Sequence, residues 1–130
     1  MKVRKIRVVV KSWKDVWAKE KRVARRLDRG ESGPISAEET LYFTSLEELR
    51  QVLTDKRLAL LRLIHAQKPS SIKELATLAK RDFKNVNADV HLLARLDLLK
   101  LTEERAGPKR RERKPPRVPY AAVSVEIPLA

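Results

Sequence analysis

The stretch SIKELATLAKRDFKNVNADVHLLARLDLLKL, residues 71–101, decides how this chain folds. Two amphipathic segments flank a short polar break at Lys80-Arg81. In the first, Ser71 and Glu74 have capping-box spacing, and Ile72, Leu75, Ala76, Leu78 and Ala79 follow as core positions. The small residues Ala76 and Ala79 let a neighbouring helix approach closely. In the second, Asp82 is a good N-cap, and Val86, Val90, Leu93 and Leu96 recur at steps of four, three and three. The spacing predicts helices over 70–80 and 83–96 joined by a short turn. LLKLTEE, residues 98–104, then alternates as a strand, with Leu99 and Leu101 opposite Lys100 and Thr102.

The second helix carries another message on its polar side. Lys84, Asn87, Ala88, His91 and Arg95 share a face there, with Asn85 beside them. Asn, Arg and Lys best match the hydrogen-bonding edges of DNA bases, and a major groove admits one α-helix. Lys84, Asn85, Asn87 and His91 lie toward the N-terminal half, where base-reading side chains sit. An ordinary solvated back accounts for the same residues, and Asp89 near that face favours it. Both readings stand on this helix alone.

Working outward, SLEELRQVL (45–53) predicts a short helix with Ser45 and Glu48 as its capping box. Thr54 opens another, DKRLALLRLIHAQK, with Leu58, Leu61, Leu63 and Ile64 as core and an end at Lys68-Pro69. On the other side lies RAGPKRRERKPPR (105–117), with seven Lys+Arg, three Pro and one Glu. It is expected to project as a loop with nothing buried. VPYAAVSVEIPLA closes the sequence as an apolar strand, with Val123, Val125, Ile127 and Leu129 on one side. That strand must pack somewhere: on the 99–103 strand, on the N-terminal strand, or on another protein. Helix–turn–helix followed by strand–basic loop–strand is the winged helix-turn-helix arrangement.

The N-terminal part is different. VRKIRVVVK (3–11) reads as a strand, and a helix follows through Leu27 with Trp13, Val16, Trp17, Val23 and Ala24 as its apolar stripe. Trp13, Val16 and Trp17 serve either core packing, homodimerisation or docking of a different protein. Residues 31–39 read as a loop around Gly33-Pro34. The domain division is therefore 1–33, a strand–helix extension, and 40–130, the winged helix-turn-helix domain. The expected class is α+β, mainly α with a small sheet.

Charge sharpens the reading. The chain carries +13 over 130 residues. Residues 1–30 hold 12 cationic and 3 acidic side chains, residues 31–104 hold 11 and 12, and residues 105–130 hold 7 and 2. A balanced centre with two basic ends points to a polyanion partner. A thermophile's charge-rich surface fits the same composition. In the 105–117 segment Lys109, Arg110, Arg111, Arg113, Lys114 and Arg117 are spaced to follow a phosphate backbone, and no aromatic interleaves them for single-strand stacking.

Other classes find little support. There is no Cys, and His65 and His91 fall on different predicted helices, so no metal site and no cofactor is expected. Phosphate-binding glycine loops, HExxH and a Cys nucleophile are all missing, so an enzyme is not expected. The longest apolar run near the start is Val8–Val10, too short for a secretory signal, and no run approaches a membrane span. A cytoplasmic protein without membrane contact is the expectation.

Three segments, 45–64, 71–101 and 118–129, resemble small archaeal and bacterial winged-helix proteins regarded as DNA-binding transcriptional regulators. These are distantly similar to the multiple-antibiotic-resistance regulator family. RDFKNVNADV (81–90) carries the likeness best, since it resembles that group's arginine-aspartate-aromatic-lysine-asparagine-valine motif. The resemblance implies an antitoxin-type role, binding a toxin encoded by a neighbouring gene and repressing the shared promoter. Lys80 stands where the group has glycine, which bears on the tightness of the turn, and Ala88 stands where a basic residue is common, which bears on base preference. The 105–117 segment is more basic than the group's usual wing.

The leading expectation is a dimeric, sequence-specific double-stranded DNA-binding repressor. Lys84, Asn85, Asn87, Ala88, His91 and Arg95 would face bases or nearby phosphates, and the 105–117 cations would supply affinity. An antitoxin whose main partner is a toxin protein is the second reading. A nucleic-acid-binding architectural protein without sequence preference is the third.

Overall fold

A computed structural model describes residues 5–10, 35–37, 40–102, 104–106 and 111–129, the side chains of 5–6, 35–37, 104–106 and 111–113 excepted. The chain divides into two compact units, Met1–Leu53 with Ala122–Ala130, and Thr54–Ala121. The class is mixed α and β, with four helices among the described residues. No helix among them is long and apolar enough to cross a membrane.

The first unit is built on a sheet. β1 (Lys5–Val10) pairs in parallel with β3 (Thr40–Phe43) on one side and with β8 (Ala122–Glu126) on the other. β2 (Ile35–Ala37) pairs antiparallel with β3, giving the order β2-β3-β1-β8. Consecutive residues of a strand face opposite sides, yet Val8 and Val9 are both buried, so the central strand is covered on both faces. Leu41 and Phe43 are buried beside it. Helix α1 (Leu46–Val52) follows β3 and buries Leu49. Ser45 accepts a hydrogen bond from the Glu48 backbone N–H at 3.1 Å, as the capping box predicts. The Glu48 carboxylate returns one residue earlier than expected, to the Thr44 N–H at 3.3 Å.

One expectation is corrected here. Residues 35–37, read as loop, form β2, a three-residue strand that exists because β3 offers it a ladder edge. β3, an inner strand of the sheet, is not marked by the sequence pattern. The terminal apolar strand pairs with β1, one of its three offered partners, with Ile6 opposite Val123 and Val8 opposite Val125. Its side chains are nonetheless poorly covered: Val125 is 50%, Ile127 51% and Leu129 99% exposed. The helix expected from Trp13 onward, with Val16 and Trp17, lies outside the described residues.

The second unit holds α2 (Asp55–Gln67), α3 (Ile72–Ala79) and α4 (Phe83–Arg95). Thr54 and Ser71 cap α2 and α3 by accepting from the N–H groups of Arg57 and Glu74. Asp82 occupies the N-cap of α4, but its carboxylate makes no capping bond. The core gathers Leu60, Leu61, Ile64, Leu75, Ala76, Val86, Val90 and Leu93, with Leu98 and Leu99 closing it from below α4. Buried Ala76 lets α3 and α4 pack closely, as its size predicts. Leu78, expected in the core, is 42% exposed.

Each of these helices ends on a non-glycine residue in the left-handed region: Lys68, Lys80 and Asp97. After α3, Arg81 N–H returns to the Ala76 carbonyl at 3.1 Å, and after α4, Leu98 N–H returns to Leu93 at 2.9 Å. Both are Schellman endings. Pro69 has no N–H to complete the same motif after α2. Lys80 has φ 54°, so the turn is tight despite the missing glycine. A left-handed conformation is unfavourable for a residue with a Cβ. Lys80→Gly is expected to raise stability by about 0.5–1 kcal/mol in urea unfolding.

Past α4 the chain forms a long hairpin. β4 (Lys100–Leu101) pairs with β7 (Pro116–Arg117), and β5 (Glu104–Ala106) pairs with β6 (Arg111–Arg113). The segment 105–117 is therefore strand for much of its length, and Pro115 and Pro116 are buried, against the expectation that nothing in it would be. A proline ring is apolar and has no N–H to leave unpaired, so burying it costs little. Beyond β7, the buried Tyr120 hydroxyl donates to the Leu98 carbonyl. Burial pushes the Tyr120 phenol above its ordinary value. The folded chain thus holds that proton more tightly than the unfolded chain. The resulting stability is complete below about pH 10 and is lost as pH climbs beyond it. Tyr120→Phe should cost about 1–2 kcal/mol in denaturant unfolding and remove that part of the alkaline loss.

Candidate nucleic-acid interface

The polar side of α4 follows from its winding. At about 100° per residue, Lys84, Ala88, His91 and Arg95 fall within a strip roughly 60° wide. Val86, Val90 and Leu93 lie on the far side and are buried. Lys84, Ala88, His91 and Arg95 are all exposed, as is Asn85, while Asn87 is half-buried at the strip's edge. The sequence-predicted residues of this helix are thus gathered on solvent, except that Asn85 lies toward the opposite edge from Asn87.

His91 is oriented from within the helix. Its Nδ1 lies 2.8 Å from the Asn87 carbonyl oxygen. A carbonyl only accepts, so Nδ1 carries the hydrogen and Nε2 is directed outward as the acceptor of the neutral ring. The outward Nε2 of His91 can therefore accept a hydrogen bond from a donor on a partner.

Asp89 does not belong to this strip. Winding places it about 100° or more from each of the four strip residues. Its half-buried carboxylate accepts from Arg57 Nε at 3.1 Å and from Arg81 Nη2 at 2.8 Å. The expectation that Asp89 lies near the polar face is corrected: it is an internal anchor. Arg57 comes from the first turn of α2 and Arg81 from the turn before α4, so one carboxylate ties three segments together. That link acts with the burial of Val86, Val90 and Leu93 to hold the rotation of α4 about its axis. The sequence marked Arg81 only as the first residue of the RDFKNVNADV motif and did not mark Arg57. The signal lies only in three dimensions, because Arg57 and Asp89 are 32 residues apart.

The hairpin adds cations unevenly. Lys114 is exposed. Arg111 and Arg113 sit on β6, with their side chains outside the description, and Lys109 and Arg110 lie outside the described residues. Arg117, expected as a phosphate contact, is half-buried and also serves within the fold. Its Nη1 donates to the carbonyls of Pro69 and Pro116, both at 2.7 Å, so the guanidinium clips β7 to the loop between α2 and α3. Phe83, in the first turn of α4, is 49% exposed.

The model of the HVO_A0114 family matches residues 52–125, more than half of the chain, including the whole second unit and most of β8. No curated protein and no solved structure matches the chain.

Proposed function

We propose that this chain, which belongs to the HVO_A0114 family, binds double-stranded DNA and regulates transcription, as a repressor. In this reading α3, the Lys80 turn and α4 form a helix-turn-helix, α4 enters the major groove, and the β4–β7 hairpin is a wing along the phosphate backbone. The observation that carries it is the exposed Lys84-Ala88-His91-Arg95 strip, on a helix whose other side is buried and whose rotation the Asp89 ion pairs help to hold. A helix held this way presents the same side chains each time it meets a duplex. The net charge of +13 supports a polyanion as the partner.

The roles divide by chemistry. Asn87, at the edge of the strip, offers bidentate recognition of adenine, and His91 Nε2 reads a donor. Lys84, Arg95 and the wing cations Lys109, Arg110, Arg111, Arg113 and Lys114 neutralise phosphates. Ala88, with only a methyl group, lets the helix axis come close to the base edges and suits a thymine methyl.

The test is fluorescence anisotropy with duplex DNA from upstream of the protein's own gene, beside a scrambled duplex of equal length, across a salt series. The expected result is at least ~10³-fold tighter binding to the native duplex. Equal binding to both, with a steep salt dependence, would make the protein a cation-driven binder without sequence preference. Asn87→Ala is expected to narrow the gap between the two duplexes and leave the salt slope unchanged. A variant that loses affinity equally for both would remove Asn87 from base reading.

A further inference from the structure

β8 is the last strand in the sheet order, and it holds the sheet through β1 alone among the described strands. Val125 and Ile127 are half-exposed and Leu129 is almost wholly so. They alternate along the strand with Ser124, Glu126 and Pro128, so the exposure forms one apolar stripe beside an edge. An edge strand of this kind is a template for another strand, and soluble proteins usually blunt it with lysine or proline near its centre. Here Glu126 is the one charge on β8, and its exposed carboxylate is tied to Arg7 of the neighbouring strand β1.

We propose that this edge is where two copies of the chain meet, by antiparallel pairing of β8 with β8 of the second copy about a two-fold axis at Val125. Charge selects the occupant. Residues 118–130 contain no Lys or Arg and a single Glu, whereas the rest of the chain carries a net +14. Two such cationic chains repel each other over most of their surfaces, and this stretch is where they can touch without bringing cations together. Self-complementarity selects the register. With the axis at Val125, Val125 faces its own copy, Ile127 faces the partner's Val123, and Ser124 faces the partner's Glu126. One face of the new pair is then wholly apolar, and the other has no like charges opposite each other. Moving the axis to Glu126 would place two carboxylates together, which is unfavourable. A two-fold contact needs this kind of patch, in which each residue finds its complement on the same surface of the other copy. The proposal places the interface on the C-terminal strand, as an alternative to the Trp13-Val16-Trp17 stripe expected from the sequence, and does not rest on the DNA reading.

The chain has no cysteine, which allows a clean test. Val125→Cys should form a covalent dimer under mild oxidation, because directly opposed Cβ atoms in an antiparallel pair lie about 4.5–5.5 Å apart. Ser124→Cys should not, since its counterpart is the partner's Glu126. In parallel, sedimentation of the full chain should show a dimer. Val125→Lys, at a half-exposed position where folding tolerates it, should raise the dimer dissociation constant by about 100-fold with an unchanged circular dichroism spectrum. A monomeric wild type at the highest soluble concentration would overturn the proposal and leave the edge to a different chain. A dimer indifferent to Val125→Lys would overturn it by placing the interface elsewhere. Cross-linking through Ser124→Cys but not Val125→Cys would overturn the Val125-centred pairing.

Discussion

Asp89→Ala is expected to destabilise the chain by about 2–3 kcal/mol, because it takes one carboxylate from two guanidinium groups at once. Arg57 and Arg81 are 21% and 22% exposed, and Asp89 is 15% exposed. The pairs are therefore better shielded than surface ion pairs, worth about 0–1 kcal/mol, yet short of full burial, where a broken pair costs about 3–5 kcal/mol. Arg81 already has one buried nitrogen, Nη1, without a hydrogen-bond partner among the described residues. The variant would leave a second donor of the same guanidinium without its acceptor. Asp89→Asn keeps the shape and one acceptor oxygen, and should lose roughly half as much. Urea unfolding measures both. A loss under about 0.5 kcal/mol for Asp89→Ala, the size of an ordinary surface change, would show that the carboxylate is not an anchor. Hydrogen exchange adds the local view, since amides of α4 should lose protection before those of α2.

The second large effect concerns binding. Lys84→Ala combined with Arg95→Ala should weaken duplex binding about 10- to 100-fold, nearly equally for native and scrambled DNA. Each phosphate contact contributes about −0.9 to the slope of log affinity against log salt, so the slope should become shallower by roughly 1.8. Both side chains are exposed, and neither has a role in the core, so stability should move by less than about 0.5 kcal/mol. An unchanged slope would mean that α4 does not face the phosphates and that the cation-rich segments elsewhere supply the affinity. Paired with Asn87→Ala, which is expected to alter preference without altering slope, the double variant separates positioning contacts from reading contacts on the same helix.

The helices were legible because their information is local. Capping pairs at Ser45-Glu48 and Ser71-Glu74 and apolar steps of three and four mark them, and both serines cap as the spacing requires, while each glutamate returns to the residue before its serine. The exposed strip on α4 follows from the same arithmetic, since burying Val86, Val90 and Leu93 turns the other side outward. What failed was whatever depends on partners distant in sequence. β2 is three residues long and has little pattern of its own, so only β3 makes it a strand. Arg117 looks like any wing cation until the fold brings the Pro69 carbonyl to it. Asp89 looks like a polar residue on a solvated face until Arg57 arrives from α2.

By itself, then, the sequence determined the positions of the helices, the turn at Lys80 and the concentration of charge at the two ends of the chain. Backbone propensity, capping and periodicity act over a few residues and leave their mark within that span. Tertiary structure alone decided that the C-terminal strand joins β1 in parallel, that Asp89 is an anchor, and that Val125 is half-exposed. Strand pairing and ion pairing are contacts between surfaces, and a single segment records what it offers without recording which surface it will meet.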